Sequence, residues 1–231
     1  FGKHGLPVPE VYLFSEDHTC YLQQDLGDQN LYSWLYDRRR RGVGFDTVAI
    51  ERYQQVLSDL VRFQTATKGI NYSHSYPRAA FDRQSMQWDL CYFKYYFLKL
   101  AYIPFDEQLL EDDFSVFTNY LLDQHCDYFM YRDFQSRNIM LTGDERMYYI
   151  DFQGGRQGAA QYDVASLLYS ASTDIPEVVR KQLLNYYLEQ VSPHLAVRGE
   201  RLSDFTQRFY GYVLLRIMQA LGAYGYRGYY E

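Results

Sequence analysis

Two short extended runs open the chain. Val11 to Phe14 and Cys20 to Gln24 flank the polar turn SEDHT, a pattern that predicts a β-hairpin. The stretch GLPVPEVY contains two prolines, which exclude a helix there. From Leu31 the periodicity becomes helical, and this helix is expected to end at Arg38 to Arg41, where positive side chains meet the negative end of the helix dipole. We interpret the arginine run as a helix end, with a phosphate-binding role as the alternative.

Most of the remaining chain carries helical periodicity. Asp46 can cap a long helix that ends before Gly69. Its apolar positions recur at three- and four-residue steps, at Ile50, Tyr53, Leu57, Leu60 and Val61. Further helices are predicted at Met86–Tyr102, Asp112–Gln124, Pro176–Val191 and Ser203–Leu221, and short strands at Tyr128–Met130, Ile139–Leu141 and Met147–Ile150. The pattern therefore predicts an α+β protein with a strand-rich start and a mostly helical body.

Composition narrows the classes of function. The 231 residues carry a formal net charge of −6 and no long basic stripe, so we expect no nucleic-acid partner. The most apolar stretch, Leu90 to Phe105, is interrupted by two lysines, so we expect no membrane-spanning segment and no membrane partner. The three cysteines lie far apart without a CxxC pair, which favours a reducing cytoplasm over a disulfide framework.

Polar residues follow the short strands in the middle of the chain. Between Phe129 and Asp163 the sequence reads FMYRDFQSRNIML and, after a polar turn, MYYIDFQGGRQGAAQYD. Asp133 precedes Asn138, and Asp151 ends the next apolar strand. Phosphoryl transfer from a nucleotide needs an oriented acceptor hydroxyl and divalent cations held by oxygen ligands of this kind. Each residue taken singly is more readily explained as a cap or turn residue, but the set together favours the chemical interpretation.

This segment resembles the catalytic core of kinases with the protein-kinase-like fold, and more closely that of the aminoglycoside phosphotransferase family. The family has an Asp in a catalytic loop, an Asn five residues later, a strand that ends in Ile-Asp and a further Asp. Here these are Asp133, Asn138, Ile150 with Asp151, and Asp163. The resemblance implies that Asp133 accepts the proton of the acceptor hydroxyl, that Asn138 and Asp151 coordinate Mg²⁺, and that Asp163 supports the loop by accepting backbone hydrogen bonds. It also implies ATP as the phosphoryl donor.

The resemblance extends to the start of the chain, where GLPVPEVY and CYLQQDLGD are similar to the segments around the nucleotide hinge of that family. It implies that the backbone of Gln24, Asp25 and Leu26 contacts adenine. Residues 1–27 would then be a remnant of the small lobe with the hinge, and residues 28–231 the helical large lobe. The glycine-rich loop and the phosphate-pairing lysine are not found before the hinge, so we expect a fragment of a longer protein that binds ATP poorly as given.

The sequence predicts the acceptor molecule less specifically than the phosphoryl donor. The stretch RDFQSRN resembles the loop of bacterial kinases that phosphorylate the anomeric position of N-acetylmuramate or N-acetylglucosamine, which favours an amino sugar or N-acetyl sugar. An aminoglycoside or an amino alcohol such as choline is the alternative. Arg137 would stabilise the transferred phosphoryl group or form a salt bridge that supports the loop. Asp89 and Tyr92 are candidate acceptor contacts, although packing explains Tyr92 better, and Arg156 could face substrate or solvent.

Two classes of function stay open, an active small-molecule kinase and a kinase-like binding or regulatory module without turnover. Tyr131 stands where the family usually has His, and Gln153 where protein kinases have Gly. The presence of Asp133, Asn138 and Asp151 together favours the active kinase, since a non-catalytic relative has no chemical need for all three.

Overall fold

The computed structural model describes residues 1–66 and 69–230. Its helices are α1 (Leu31–Arg40), α2 (Thr47–Ala66), α3 (Arg83–Phe93), α4 (Glu107–Leu122), α5 (Gln161–Leu168), α6 (Glu177–Val197) and α7 (Leu202–Tyr230), and a π-helical segment, Lys94–Lys99, continues α3. Its strands are β1 (Val11–Phe14), β2 (Tyr21–Gln23), β3 (Tyr128–Met130), β4 (Ile139–Leu141), β5 (Met147–Tyr149) and β6 (Arg156–Gly158). The chain is mostly helical with few strands, which confirms the predicted α+β class.

Capping side chains explain where several helices begin. The Asp46 carboxylate accepts a hydrogen bond of 3.1 Å from the Ala49 N–H at the start of α2, as predicted. Asp106 caps α4 in the same way, so that helix begins before the predicted Asp112. Asp82 caps α3, which therefore begins before the predicted Met86. The end of the long helix, which was predicted to lie before Gly69, falls partly outside the described residues.

Strands pair into three two-stranded antiparallel sheets, β1–β2, β3–β6 and β4–β5. Strand β6 was not predicted, because its sequence RQG is short, polar and flanked by glycine. Pairing from both sides holds it extended: Gln157 lies opposite Phe129 of β3, and its carbonyl accepts a hydrogen bond of 2.7 Å from the Phe81 N–H. The small strands thus bring distant segments to one side of the helical body.

The core lies between the small sheets and helices α2, α5, α6 and α7. Helix α5 is buried along its whole length, and α2 buries the apolar face predicted from its spacing. Many of the largest fully buried side chains are tyrosines, namely Tyr53, Tyr131, Tyr149, Tyr162, Tyr187 and Tyr212. Packing therefore accounts for a part of the unusual tyrosine content. None of the described helices combines the length and the apolar character that crossing a membrane requires.

Backbone hydrogen bonds attach the start of the chain to the sheet β4–β5. The Tyr149 N–H donates to the Pro7 carbonyl at 2.9 Å, and the Leu141 N–H donates to the Gln29 carbonyl at 2.8 Å. The segment that follows the predicted hinge therefore runs beside β4, the strand that begins directly after Asn138.

Glycines on α7 allow this helix to approach the π-helical segment closely. A Cβ atom at Gly225 would lie 1.7 Å from the Tyr96 carbonyl oxygen, whereas one at Gly228, on the same helix, would meet nothing within 4 Å. Close packing explains why α7 continues to Tyr230, beyond the predicted end at Leu221, although glycine disfavours helix interiors.

We expect Gly225→Ala to lower the free energy of unfolding by about 1–3 kcal/mol, because the added methyl group forces the two helices apart. Gly228→Ala is the matched control and should raise the free energy of unfolding by up to about 1 kcal/mol through helix propensity. Urea unfolding measures both changes. Equal effects of the two substitutions would contradict the close approach.

Candidate active site

The predicted catalytic loop, residues 131–138 and called the catalytic loop below, connects β3 to β4 and contains both buried and exposed side chains. The side chains of Phe134 and Ser136 are buried, whereas that of Asp133 is exposed to solvent. A 3₁₀ turn, Ser136–Asn138, closes the loop and places Asn138 directly before β4. The carboxylate of Asp133 makes no hydrogen bond to the described residues. The loop is therefore anchored by its apolar positions and presents one carboxylate to solvent.

Asn138 connects the predicted catalytic and metal-binding residues. Its Nδ2 donates to the Asp133 carbonyl at 2.9 Å and lies 3.4 Å from Asp151 Oδ2. Asp151 is exposed and follows β5 with a positive φ of 69°, and its Oδ1 accepts a hydrogen bond of 2.8 Å from Gln153 Nε2. Asp133, Asn138 and Asp151 thus lie together on the surface of the described chain.

The chemistry of this group suits a magnesium ion. The hydrogen bond from Asn138 Nδ2 to the loop backbone leaves Oδ1 as the side-chain oxygen that can bind a cation, and Asp151 adds a carboxylate. Mg²⁺ is commonly held by one or two protein oxygens together with water and substrate phosphates. No cluster of three or more His, Cys, Asp or Glu side chains suited to a metal occurs among residues 1–66 and 69–230. Asn138 and Asp151 therefore fit an ion shared with a nucleotide better than a metal site made of protein alone.

Asp163, in the first turn of α5, is fully buried beneath the catalytic loop. Its Oδ2 accepts a hydrogen bond of 2.6 Å from the Tyr131 N–H, and its Oδ1 accepts one of 3.0 Å from the Arg132 N–H. Burial raises the pKa of Asp163 to about 7, and the two backbone donors act in the opposite direction. Asp163 fixes the backbone directly before Asp133.

Arg132 turns its side chain inward and pairs with Asp89 on α3. Arg132 Nη2 lies 2.7 Å from Asp89 Oδ1, and Arg132 Nη1 lies 2.9 Å from Asp89 Oδ2, a bidentate ion pair. The guanidinium also contacts the rings of Phe81 at 4.7 Å and Tyr162 at 5.0 Å, and donates to the Tyr162 hydroxyl. Arg132 was not among the predicted site residues; its position beside Asp133 was the one local signal.

Tyr131 occupies the family's histidine position as a core residue. Its ring packs against Phe63, Phe134 and Phe152, and its hydroxyl donates to the Ile150 carbonyl. Burial raises its pKa well above the usual value, so the phenol stays neutral. Tyr131 thereby links the catalytic loop to the strand end that carries Asp151.

The other predicted site residues are placed as follows. Arg137 is exposed and stacks on the Tyr32 ring at 3.9 Å, without a salt bridge to any described carboxylate. Asp89 has a side chain that is 10% exposed, and both its oxygens bind Arg132. Tyr92 packs against Tyr96. Arg156 is buried and donates to the carbonyls of Gly154 and Tyr76. Contacts of Asp89, Tyr92 and Arg156 with an acceptor stay predictions.

The predicted hinge residues follow β2. The Gln24 N–H donates to the Glu10 carbonyl at 2.8 Å, Asp25 accepts from the Gly27 N–H at 2.8 Å, and Leu26 is buried. Contact of these three residues with adenine stays a prediction.

Comparison with protein families gives a match over most of the chain. The model of the APH phosphotransferase enzyme family matches residues 1–200. The chain belongs to this family. A comparison with curated protein sequences finds no match.

Solved structures of other kinases share the fold. An ethanolamine kinase of Plasmodium vivax is 12% identical, with a TM-score of 0.62 over 98% of this chain and 63% of that kinase. A choline kinase of Cryptosporidium parvum is 10% identical, with a TM-score of 0.58 over 94% of this chain and 68% of that kinase. The ADP-bound aminoglycoside phosphotransferase APH(2'')-Ib is 18% identical, with a TM-score of 0.50 over 94% of this chain and 74% of that enzyme. These likenesses confirm the kinase-like fold; the closer resemblance to sugar kinases stays a prediction.

The ion pair between Asp89 and Arg132 allows a test of what Asp89 does. We expect Asp89→Ala to lower the free energy of unfolding by about 3 kcal/mol, because it leaves a largely buried guanidinium without its partner. Asp123→Ala is the control, since Asp123 pairs with Arg208 while 86% exposed, and should cost less than about 1 kcal/mol. Urea unfolding measures both. A raised KM for an acceptor at unchanged stability would instead indicate direct contact between Asp89 and substrate.

The raised pKa of Asp163 predicts a pH-dependent stability. An unfolded Asp loses its proton near pH 4, whereas folded Asp163 keeps it until about pH 7. The folded state binds more protons in this range, so the contribution of Asp163 to the free energy of unfolding falls as the pH rises from about 4 to about 7. Asp163→Asn should remove this part of the pH dependence, and Asp113→Asn, at an exposed position on α4, should retain it. Urea unfolding at pH 5 and pH 7.5 measures the free energy of unfolding of the unaltered protein and of both variants. The same pH dependence in all three would contradict the prediction.

Proposed function

We propose that this protein transfers the γ-phosphoryl group of ATP to a hydroxyl group of a small molecule, in the first place an amino sugar or N-acetyl sugar. The observation that carries the proposal is the contact of Asn138 with both the Asp133 backbone, at 2.9 Å, and the Asp151 carboxylate, at 3.4 Å. It supports a base and two metal-binding oxygens at one exposed place, which is the set that phosphoryl transfer needs.

Asp133 is the proposed catalytic base. Its exposed carboxylate hydrogen-bonds the acceptor hydroxyl and takes its proton as the hydroxyl oxygen bonds to the γ-phosphorus. The bond from the γ-phosphorus to the bridging oxygen breaks, and ADP leaves with that electron pair. Asp163 and Arg132 act through the loop backbone and touch neither reactant. Asp163 accepts hydrogen bonds from the N–H groups of the two residues before Asp133, and the Arg132 side chain is held by Asp89.

Asn138 and Asp151 would hold Mg²⁺, which neutralises charge on the phosphates of the nucleotide when it is bound. Arg137, which stacks on Tyr32, would donate hydrogen bonds to the transferred phosphoryl group. The backbone of Gln24, Asp25 and Leu26 would contact the adenine edge. In this proposal the donor would lie on the side of the loop that carries Asn138.

An aminoglycoside or an amino alcohol is the alternative acceptor, in keeping with what the names of the similar structures say of those proteins. Residues 1–27 would be a remnant of the small lobe with the hinge, and residues 28–231 the helical large lobe with the catalytic loop and the metal-binding segment. The cytoplasmic location expected from the cysteines stays a prediction.

Substitution of Asp133 tests the proposal in the full-length protein. With ATP, Mg²⁺ and a panel of amino sugars, aminoglycosides and amino alcohols, we expect Asp133→Ala to lower kcat by about 10²- to 10⁴-fold, the usual contribution of a positioned base. Its thermal unfolding midpoint should stay unchanged because the side chain makes no hydrogen bond to the described residues. Asp144→Ala, at an exposed turn residue paired with Arg146, is the control and should retain activity. Undiminished turnover in Asp133→Ala would remove this residue from the mechanism.

A further inference from the structure

A groove with a volume of about 610 Å³ is lined in part by Asp133, whereas Asn138 and Asp151 are not among its lining residues. It runs between the catalytic loop, the end of α5 with the segment after it, and the last turns of α7. Its charged lining residues are Asp133, Arg137, Arg216 and Arg227. Arginines therefore outnumber acids here, although the chain carries a net charge of −6. The groove is a local positive region that starts at the proposed base.

Arg216 is the best-defined cation of the groove. Its Nη1 donates to the Tyr162 hydroxyl at 3.2 Å and to Gln219 Oε1, and these contacts hold the guanidinium in place. Its Nε and Nη2 make no hydrogen bond to the described residues, and no described carboxylate forms a salt bridge with it. A fixed guanidinium with free N–H donors matches the planar, bidentate geometry of a carboxylate or a phosphate.

The wall of the groove also contains a buried hydroxyl and two aromatic rings. Ser166 lines the groove and is 3% exposed, and its Oγ is a buried hydroxyl without a hydrogen-bond partner in the described part of the chain. Buried polar atoms in native proteins are rarely left unsatisfied, because each costs about 1–3 kcal/mol. Tyr169 and Tyr224 line the same groove and offer aromatic faces. The lining therefore combines cations, a hydroxyl that lacks a partner and apolar rings.

We propose that the acceptor is an anionic hydroxy compound, with a carboxylate or phosphate group that binds Arg216 and Arg227 while its reacting hydroxyl lies at Asp133. This inference rests on the proposed kinase function and names its substrate class. A cationic aminoglycoside or choline would bring positive charge next to these arginines, which is unfavourable in a partly enclosed groove. A neutral sugar would leave the free N–H donors of Arg216 without a charged partner.

Matched acceptors test the charge preference in the full-length protein with ATP and Mg²⁺. One N-acetylhexosamine scaffold is offered in four forms: neutral, with a carboxylate-bearing ether, with a phosphate away from the reacting hydroxyl, and as the free amine. We expect kcat/KM for a carboxylate or phosphate form to exceed that for the neutral form by about tenfold or more, as charge-assisted hydrogen bonds imply. The neutral form should exceed the amine. Comparison of kcat/KM between the carboxylate form and the phosphate form shows which of these two groups the groove prefers.

Arginine substitutions test the residues. Arg216→Gln and Arg227→Gln should each raise KM for the anionic acceptor by about tenfold, with KM for ATP unchanged. Arg227 is exposed, so its substitution retains the fold if Arg216→Gln loses stability through its contact with Tyr162. Arg208→Gln is the matched control, because Arg208 also lies on α7 but pairs with Asp123 outside the groove.

The outcomes separate this inference from the kinase proposal. Turnover of the neutral or amine form at least equal to that of the anionic forms, or a raised KM for ATP in both variants, would overturn the anionic acceptor and leave the kinase intact. If no acceptor turns over, the kinase proposal fails, and calorimetry with the carboxylate-bearing sugar decides the groove alone. Binding that is lost in Arg216→Gln and Arg227→Gln would support an anion site, whereas absence of binding to the unaltered protein would overturn it.

Discussion

The catalytic loop depends on the buried carboxylate of Asp163. Its two oxygens accept the backbone N–H groups of Tyr131 and Arg132, at 2.6 and 3.0 Å, at the point where β3 ends and the sheet no longer provides partners. A buried N–H without a partner costs about 1–3 kcal/mol, and a buried carboxylate without donors costs more, so each group stabilises the other. The chain direction is thereby fixed one residue before Asp133, and the exposed Asp133 carboxylate needs no hydrogen bond of its own to be positioned.

Backbone strain is concentrated at the same place. Arg132 has a φ of 80°, in the left-handed region, which costs a side-chain-bearing residue about 1–2 kcal/mol. The bidentate contact with Asp89 and the stacking on Phe81 and Tyr162 stabilise the protein and so offset this cost. These contacts form only when the Arg132 side chain points inward. With Arg132 turned into the protein, the next residue is directed outward. The ion pair and the exposure of Asp133 are thus two consequences of one backbone conformation.

Local sequence signals predicted the elements whose causes are local. The hairpin, the cap of α2 by Asp46 and the spacing of Asp133 from Asn138 are all determined by near neighbours. Strand β6 was missed because its extended conformation comes from pairing with Phe129 and with residues 79–81, which are distant in sequence. Asp89, the ion-pair partner of Arg132, lies 43 positions away in the sequence. The spacing of apolar residues contains no information about such a pair. Helix α7 continues through its glycines because tertiary packing outweighs their low helix propensity.

Tyr162 joins the groove to the catalytic loop through one hydroxyl group. Its oxygen accepts hydrogen bonds from Arg132 Nη1 and from Arg216 Nη1, so two guanidinium groups share one neutral acceptor. Burial raises the pKa of Tyr162, with the two arginines acting against it. Arg132 directly precedes Asp133, and Arg216 lines the groove. Through this hydroxyl group, two direct hydrogen bonds therefore join the groove to the residue before Asp133. Loss of the Tyr162 oxygen would leave one N–H donor on each guanidinium group without its acceptor.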